Sequence, residues 1–166
     1  CSSVPFSYAN AETIIESDIV SDTVWTLENS PYFISNPIQV SAGSTLTIEA
    51  GVLVQFGYGS SIAVNGAITA SGTSENKIHI TSLIDTTYGG GDPDYIDLGL
   101  TPVAGDYSGF VFPPSSSGTF ENVEIYYADT AISGESANIT FNNSKIEHVN
   151  NGVSVLGGSF SFSGNH

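Results

Sequence analysis

The residues best suited to chemistry surround a glycine-rich, acidic segment that runs from Gly89 to Asp97. Carboxylate oxygens are ligands that Ca²⁺ prefers in proteins, and flexible glycines would let the chain wrap an ion. The segment lacks the bidentate Glu that closes an EF-hand loop. We therefore keep two interpretations, a Ca²⁺ site and a solvated loop. The aspartates that would form the site are Asp85, Asp92, Asp94, Asp97 and Asp106.

The charge composition argues against an enzyme. The chain has 17 acidic residues, two lysines (Lys77 and Lys145) and no arginine, which gives a formal net charge of −15. A polysaccharide lyase needs a base and cations to hold its acidic substrate. A glycosidase needs two opposed carboxylates, and no spacing singles out such a pair. No serine lies in a Gly-x-Ser-x-Gly elbow. We expect no catalytic residues.

The histidines do not form a metal-ligand pattern with cysteine or acids. His79 alternates with Ile78 and Ile80, so its side chain should point away from the core of a strand. His148 follows Glu147 near a corner of the fold. Solvated surface histidines are the expected result.

The single cysteine, Cys1, is followed by Ser2 and Ser3. This resembles a bacterial lipoprotein after removal of its signal peptide, so Cys1 is predicted to carry a lipid anchor or an intermolecular thiol; trimming of a longer chain is the alternative. One cysteine allows no internal disulfide. We expect a secreted protein, extracellular or on the cell surface, that meets a membrane only through such a lipid. The acidic charge makes nucleic acid a poor partner.

The elements that would position these residues are short strands. From Pro37 onward, apolar residues recur with period two in runs of a few residues, separated by Gly, Asn and Ser corners. Ile38 and Ile62 occupy equivalent positions 24 residues apart, and Ile139 and Phe160 do so 21 residues apart. Three short strands per repeat of this length predict a right-handed parallel β-helix of about five turns, each of about 20–25 residues.

The predicted organisation is one domain with two parts. Residues 1–22 are an N-terminal arm or cap, in which residues 11–19 carry a weak helix signal. Residues 23–166 form the β-helix, with an Asp- and Gly-rich insertion at 85–106.

Several motifs resemble a family of secreted bacterial β-helix repeat proteins. One is the stretch Val40-Ser-Ala-Gly-Ser-Thr-Leu-Thr-Ile-Glu-Ala-Gly-Val52, and another is Ile78-His-Ile-Thr-Ser82. After an acidic insertion the family carries Gly-Asp-Trp-x-Gly-Ile, which resembles Gly105 to Phe110 here, with Tyr107 and Phe110 as the exchanged residues. The resemblance implies the fold and a surface protein, and it implies little about function.

The ends of the predicted β-helix suggest a function. Phe160 and Phe162 form a core-type strand close to His166, without a closing cap. Two explanations compete for an open end: the chain has been cut from a longer protein, or the end receives another copy head to tail and grows a filament or surface layer. The residues expected at the junction are Trp25, Tyr32, Phe33, Phe160 and Phe162. The alternatives are a surface module that binds glycans through Tyr58, Tyr88, Tyr95 and Tyr126, and a fragment of a polysaccharide-processing enzyme.

Overall fold

The computed structural model describes residues 12–89 and 99–165. It confirms the predicted fold, an all-β solenoid built from three parallel sheets. Each turn from the second onward contributes one strand to sheet A, then to sheet B, then to sheet C, whereas the first turn meets sheet B only through an isolated bridge. The described strands make six turns, one more than expected.

The strands are short, as the sequence predicts, and their bounds follow the turns. The first turn contains β1 (Thr13–Ile15) and β2 (Thr23–Trp25), the second β3 (Tyr32–Ile34), β4 (Ile38–Val40) and β5 (Thr45–Ile48), and the third β6 (Leu53–Phe56), β7 (Ser61–Val64) and β8 (Ala67–Ser71). The fourth turn contains β9 (Ile78–Ser82), a short helix α1 (Thr86–Gly89), β10 (Gly109–Phe112) and β11 (Ser117–Glu121). The fifth contains β12 (Val123–Tyr126), β13 (Thr130–Glu135) and β14 (Asn138–Asn142), and the sixth β15 (Lys145–Glu147), β16 (Asn151–Leu156) and β17 (Ser159–Ser163). A 3₁₀ turn spans Leu27–Asn29.

The register agrees with the repeat read from the sequence. Ile38 pairs with Ile62 across β4 and β7. Ile139 pairs with Phe160 across β14 and β17. Because parallel strands stack in register, residues one turn apart place their side chains in one inward column. The inward columns from the three sheets form a continuous apolar core.

The first turn is formed by residues that carry a weak helix signal. Thr13 to Ile15 pair with β3, and Ile19 forms an isolated parallel bridge with Val40. Ile19 is buried and Ile15 is partly buried against the core. Burial of these side chains against sheets A and B therefore favours extended backbone here, and the weak helix prediction was wrong for the described residues.

The chain returns from the insertion to the solenoid at Tyr107 and Gly109. The Tyr107 ring is fully buried, stacks on Phe56 at a centroid distance of 4.4 Å and donates a hydrogen bond to the Tyr126 carbonyl oxygen at 2.9 Å. Gly109 has a φ of +88°, and a Cβ there would overlap the Thr130 carbonyl oxygen. The Tyr107 ring and Gly109 therefore fix where the fourth turn resumes.

Candidate functional site

The C-terminal face of the solenoid exposes core-type side chains. Phe160 is 38% exposed and Phe162 is 55% exposed, although both are in register with fully or almost fully buried residues of β14. They line an open cavity of about 630 Å³ together with Ile146, Val149 and Val153. Among the described residues, no strand pairs with the free edges of β15, β16 and β17.

An aromatic column leads to this face. The Phe120 and Phe141 ring centroids lie 5.9 Å apart, and those of Phe141 and Phe162 lie 5.8 Å apart with nearly parallel planes. The column continues in register through Ala70 and Ile48 to Trp25 in the first turn. Trp25 and Phe162 therefore occupy the two ends of one inward column.

The N-terminal end differs from the C-terminal face in what it exposes. Trp25 is 2% exposed and Tyr32 is 3% exposed, and their rings stack at a centroid distance of 4.9 Å. The Tyr32 hydroxyl accepts a hydrogen bond from the Thr26 backbone N–H at 2.8 Å. Phe33 points to the outer face of sheet A, in register with Ile14 and Gln55. Of the residues predicted for a junction, Trp25 and Tyr32 are therefore core residues.

Exposed apolar side chains nevertheless surround the first turn. They belong to β1, β2 and the segments beside them, and each is more than half exposed: Ile14, Val20, Val24 and Leu27. Strands β1 and β2 each pair on one side within the described part of the chain. The first turn thus offers unpaired strand edges with an apolar rim.

The predicted calcium ligands are only partly within the described residues. Asp92, Asp94 and Asp97 lie outside them. Asp85 is buried, accepts hydrogen bonds from the Thr81 hydroxyl at 2.6 Å and the Thr87 N–H at 2.9 Å, and so caps α1. Asp106 accepts a hydrogen bond from the Val103 N–H at 3.2 Å. Within residues 12–89 and 99–165, no three His, Cys, Asp or Glu side chains are grouped as metal ligands.

Helix α1 covers part of the outer face of sheet A. The Tyr88 ring stacks on His79 at 4.3 Å and on Tyr126 at 5.2 Å. His79 points outward, as expected, but its side chain is only 26% exposed. The prediction of a solvated histidine was wrong because Tyr88 lies over the ring. His148 is exposed at a corner, stacked on Tyr127.

The covered face also holds a charged network that the sequence did not reveal. Glu124 accepts hydrogen bonds from the Lys77 ammonium at 2.6 Å and from the Tyr126 hydroxyl at 2.7 Å. Lys145 pairs in register with Glu124, binds Glu147 at 2.8 Å and lies 5.9 Å from the Tyr126 ring centroid. Both lysines of the chain therefore converge on one sheet, although they are far apart in sequence.

The titration of this network follows from its burial and its partners. Desolvation lowers the pKa of His79 below 6.5, against the opposing charge of Glu124. Burial opposes ionisation of Glu124, but hydrogen bonds from Lys77 and Tyr126 and the charge of Lys77 outweigh it, so the pKa is lowered. Desolvation, with hydrogen bonds to Tyr88 and Glu124, raises the pKa of Tyr126. At neutral pH the network therefore consists of an ionised carboxylate with Lys77, a neutral imidazole and a neutral phenol.

The tyrosines expected to contact glycans differ in exposure. Tyr58 is 90% exposed and Tyr88 is 37% exposed, whereas Tyr126 is buried at 5%. Tyr95 lies outside the described residues, as do Cys1 and His166. Tyr58 is therefore the most accessible of the described aromatic side chains named for this role.

Comparison with known proteins gives one partial relationship. A segment of 69 residues, 42% of this chain, is 35% identical to Protein bark beetle of Drosophila melanogaster. The chain spans about 2% of the length of that curated relative. No protein-family model matches the chain, and no solved structure matches it at a significant level.

In the part of the chain that the structure describes, no helix has the length and apolar character required to cross a bilayer.

Proposed function

We propose that this protein is a non-catalytic, extracellular structural protein in which β-helices stack end to end into a filament or layer. The observation that carries the proposal is the open C-terminal face, where Phe160 and Phe162 stand exposed at positions that earlier turns bury. Burying such aromatic rings against another apolar surface is favourable, at about 25 cal/mol per Å² of apolar area. The occupant we propose is the first turn of a second copy.

The register supports head-to-tail stacking. A second copy would place its β1, the segment around Ile19 and its β2 on the free edges of β15, β16 and β17, so that each sheet continues. Trp25 would then follow Phe162 in the aromatic column, and Val20 and Val24 would lie near the rim of the junction. Such a contact joins two different surfaces and does not close, so it propagates.

The charge of the protein sets the conditions for assembly. A net charge of −15 per copy opposes association at low ionic strength. Added salt screens this repulsion, and Ca²⁺ would do so more strongly if the acidic insertion binds it. We therefore expect assembly to increase with salt.

A mixing experiment tests both surfaces. Sedimentation velocity is measured for the wild-type chain, for a C-face variant (Phe160→Ser with Phe162→Ser) and for an N-face variant (Val20→Asp with Val24→Asp). Wild type should form long polymers as salt rises, and each variant alone should remain monomeric. An equimolar mixture should form dimers only, because one intact junction remains. Val111→Asp, on the outer face of sheet B, is the control and should polymerise as wild type does.

Two outcomes would contradict the proposal. One is a wild-type chain that stays monomeric at every salt and Ca²⁺ concentration. The other is a wild-type dimer that does not grow, which would indicate a symmetric contact between two C-terminal faces.

A further inference from the structure

A second cavity lies on the outside of the solenoid, where sheet A turns into sheet B. Its volume is about 450 Å³, within the range of about 300–1,000 Å³ that is typical of small-molecule sites. The second, third and fourth turns all contribute to it, together with the C-terminal part of the insertion. The residues that define its chemistry are Phe33, Tyr58, Leu83, Ile84, Leu100 and Asp106.

The two aromatic rings are held differently. Phe33 is half-buried against Gly57, where a Cβ would lie 3.2 Å from the Phe33 ring and 3.2 Å from the Ile34 carbonyl oxygen. A larger residue at position 57 would therefore displace the ring. Tyr58 projects into solvent and is 90% exposed. Leaving an aromatic ring exposed to water beside an apolar cavity is unfavourable. A ligand that stacks on the ring would cover it.

The polar side chains that the structure describes in the cavity are hydroxyls and one carboxylate, so the only formal charge that they supply is negative. Among the described residues that line the cavity, Asp106 is the one with a carboxylate, and it is 5% exposed. Its Oδ2 accepts a hydrogen bond from Val103, while within the described residues no hydrogen bond is made to Oδ1. The Ser82 hydroxyl oxygen accepts a long hydrogen bond from the Ile84 backbone N–H, with 3.5 Å between the nitrogen and the oxygen. A carboxylate in a protein of net charge −15 attracts a cation and repels an anion.

We infer that this cavity binds a sugar that carries a free amine. The C–H face of a pyranose ring matches the Tyr58 and Phe33 rings, and its hydroxyls match Ser82 and Asp106. The ammonium group is attracted by the Asp106 carboxylate and by the aromatic faces. A lone lysine side chain would satisfy the charge but would leave much of the apolar cavity unfilled. The site is separate from both end faces, so it does not depend on assembly.

Calorimetric titration of the full chain tests the inference with defined probes. These are a glucosamine trisaccharide, its N-acetylated form, a galacturonic acid trisaccharide and a trilysine peptide. The glucosamine trisaccharide should bind most tightly, and galacturonic acid should not bind. Tyr58→Ser should weaken binding of the glucosamine probe at least about tenfold, whereas Tyr58→Phe should retain it. Because Tyr58 is exposed, neither change should disturb the fold.

The charge requirement is tested independently. Asp106→Asn should reduce the preference for the amine over the N-acetyl form. Added salt should reduce the same preference in the wild-type chain, and this second test does not depend on a substitution. Equal binding by wild type and Tyr58→Ser would overturn the inference. Tighter binding of trilysine than of glucosamine would also overturn it, in favour of a peptide site.

Discussion

The first and last turns of the solenoid have the same alternation of inward and outward side chains. Their inward side chains are buried to different extents. In the first turn Ile19 is 6% exposed and Trp25 is 2% exposed. In the last turn Phe162, which is in the same inward column as Trp25, is 55% exposed, and Phe160 on the same strand is 38% exposed. A turn in mid-solenoid has a neighbour on each side, whereas β15, β16 and β17 have one among the described strands. Strands β1 and β2 also have one neighbour each among the described strands, so a single neighbouring turn leaves Phe160 and Phe162 exposed but does not leave Ile19 and Trp25 exposed.

The largest expected effect contrasts two phenylalanines of the same column. Phe120→Ala removes a fully buried ring and should lower the free energy of unfolding by about 3–5 kcal/mol. Phe162→Ala removes a ring that is already more than half exposed and should lower it by less than about 1 kcal/mol in the monomer. Urea unfolding of both variants at low protein concentration and low salt makes the measurement. Similar losses would mean that the last turn is as well covered as the fourth.

A smaller effect separates a covered histidine from an open one. Because His79 has a lowered pKa in the folded state, the unfolded chain binds its proton more tightly. His79 therefore favours folding above about pH 6.5, and this contribution is lost as the pH falls through the folded pKa. The loss is at most about 1.4 kcal/mol per pH unit.

Unfolding curves between about pH 5 and pH 8 test this. His79→Phe preserves a ring beneath Tyr88 and should flatten the fall in stability below about pH 6.5. His148→Phe, at the exposed corner, is the matched control and should leave the fall in place. If both substitutions have the same effect, His79 is not desolvated by Tyr88.

The smallest expected effect concerns Trp25, the one tryptophan of the chain. Since it is stacked on Tyr32 and almost fully buried, its fluorescence should be that of a buried indole and resist acrylamide quenching. Polymerisation with salt should leave the quenching unchanged. A decrease in quenching during assembly would show that Trp25 becomes covered at the junction, as the sequence suggested.

Much of the fold could be predicted because a β-helix repeats a local pattern. The period-two alternation sets the inward side of each strand, and the repeat length fixes which strands stack, so that Ile38 meets Ile62 and Ile139 meets Phe160. The first turn was missed because it contributes no full strand to sheet B, where Ile19 forms a single bridge with Val40. The pattern of three strands per repeat is therefore incomplete in this turn.

The candidate sites were less predictable because they depend on the outer faces. Alternation shows that His79 points outward, but it does not show that Tyr88 lies over it. Lys77 and Glu124 are 47 positions apart and meet because β12 stacks on β9, which Lys77 immediately precedes; the insertion lies between the two strands in the chain. Their contact depends on register across that insertion. The signal available in the sequence was the alternation that places His79 and Glu124 on the outer side of their strands.

Amide hydrogen exchange can show whether the C-terminal face continues into another copy. Exchange in β15, β16 and β17 should slow as protein and salt concentration rise, because their free edges acquire partners. Exchange in β5, β8 and β11, which are paired on both sides, should stay constant and serves as the internal reference. Unchanged exchange in β15, β16 and β17 across conditions that scatter light would contradict the account, since association would then use another surface.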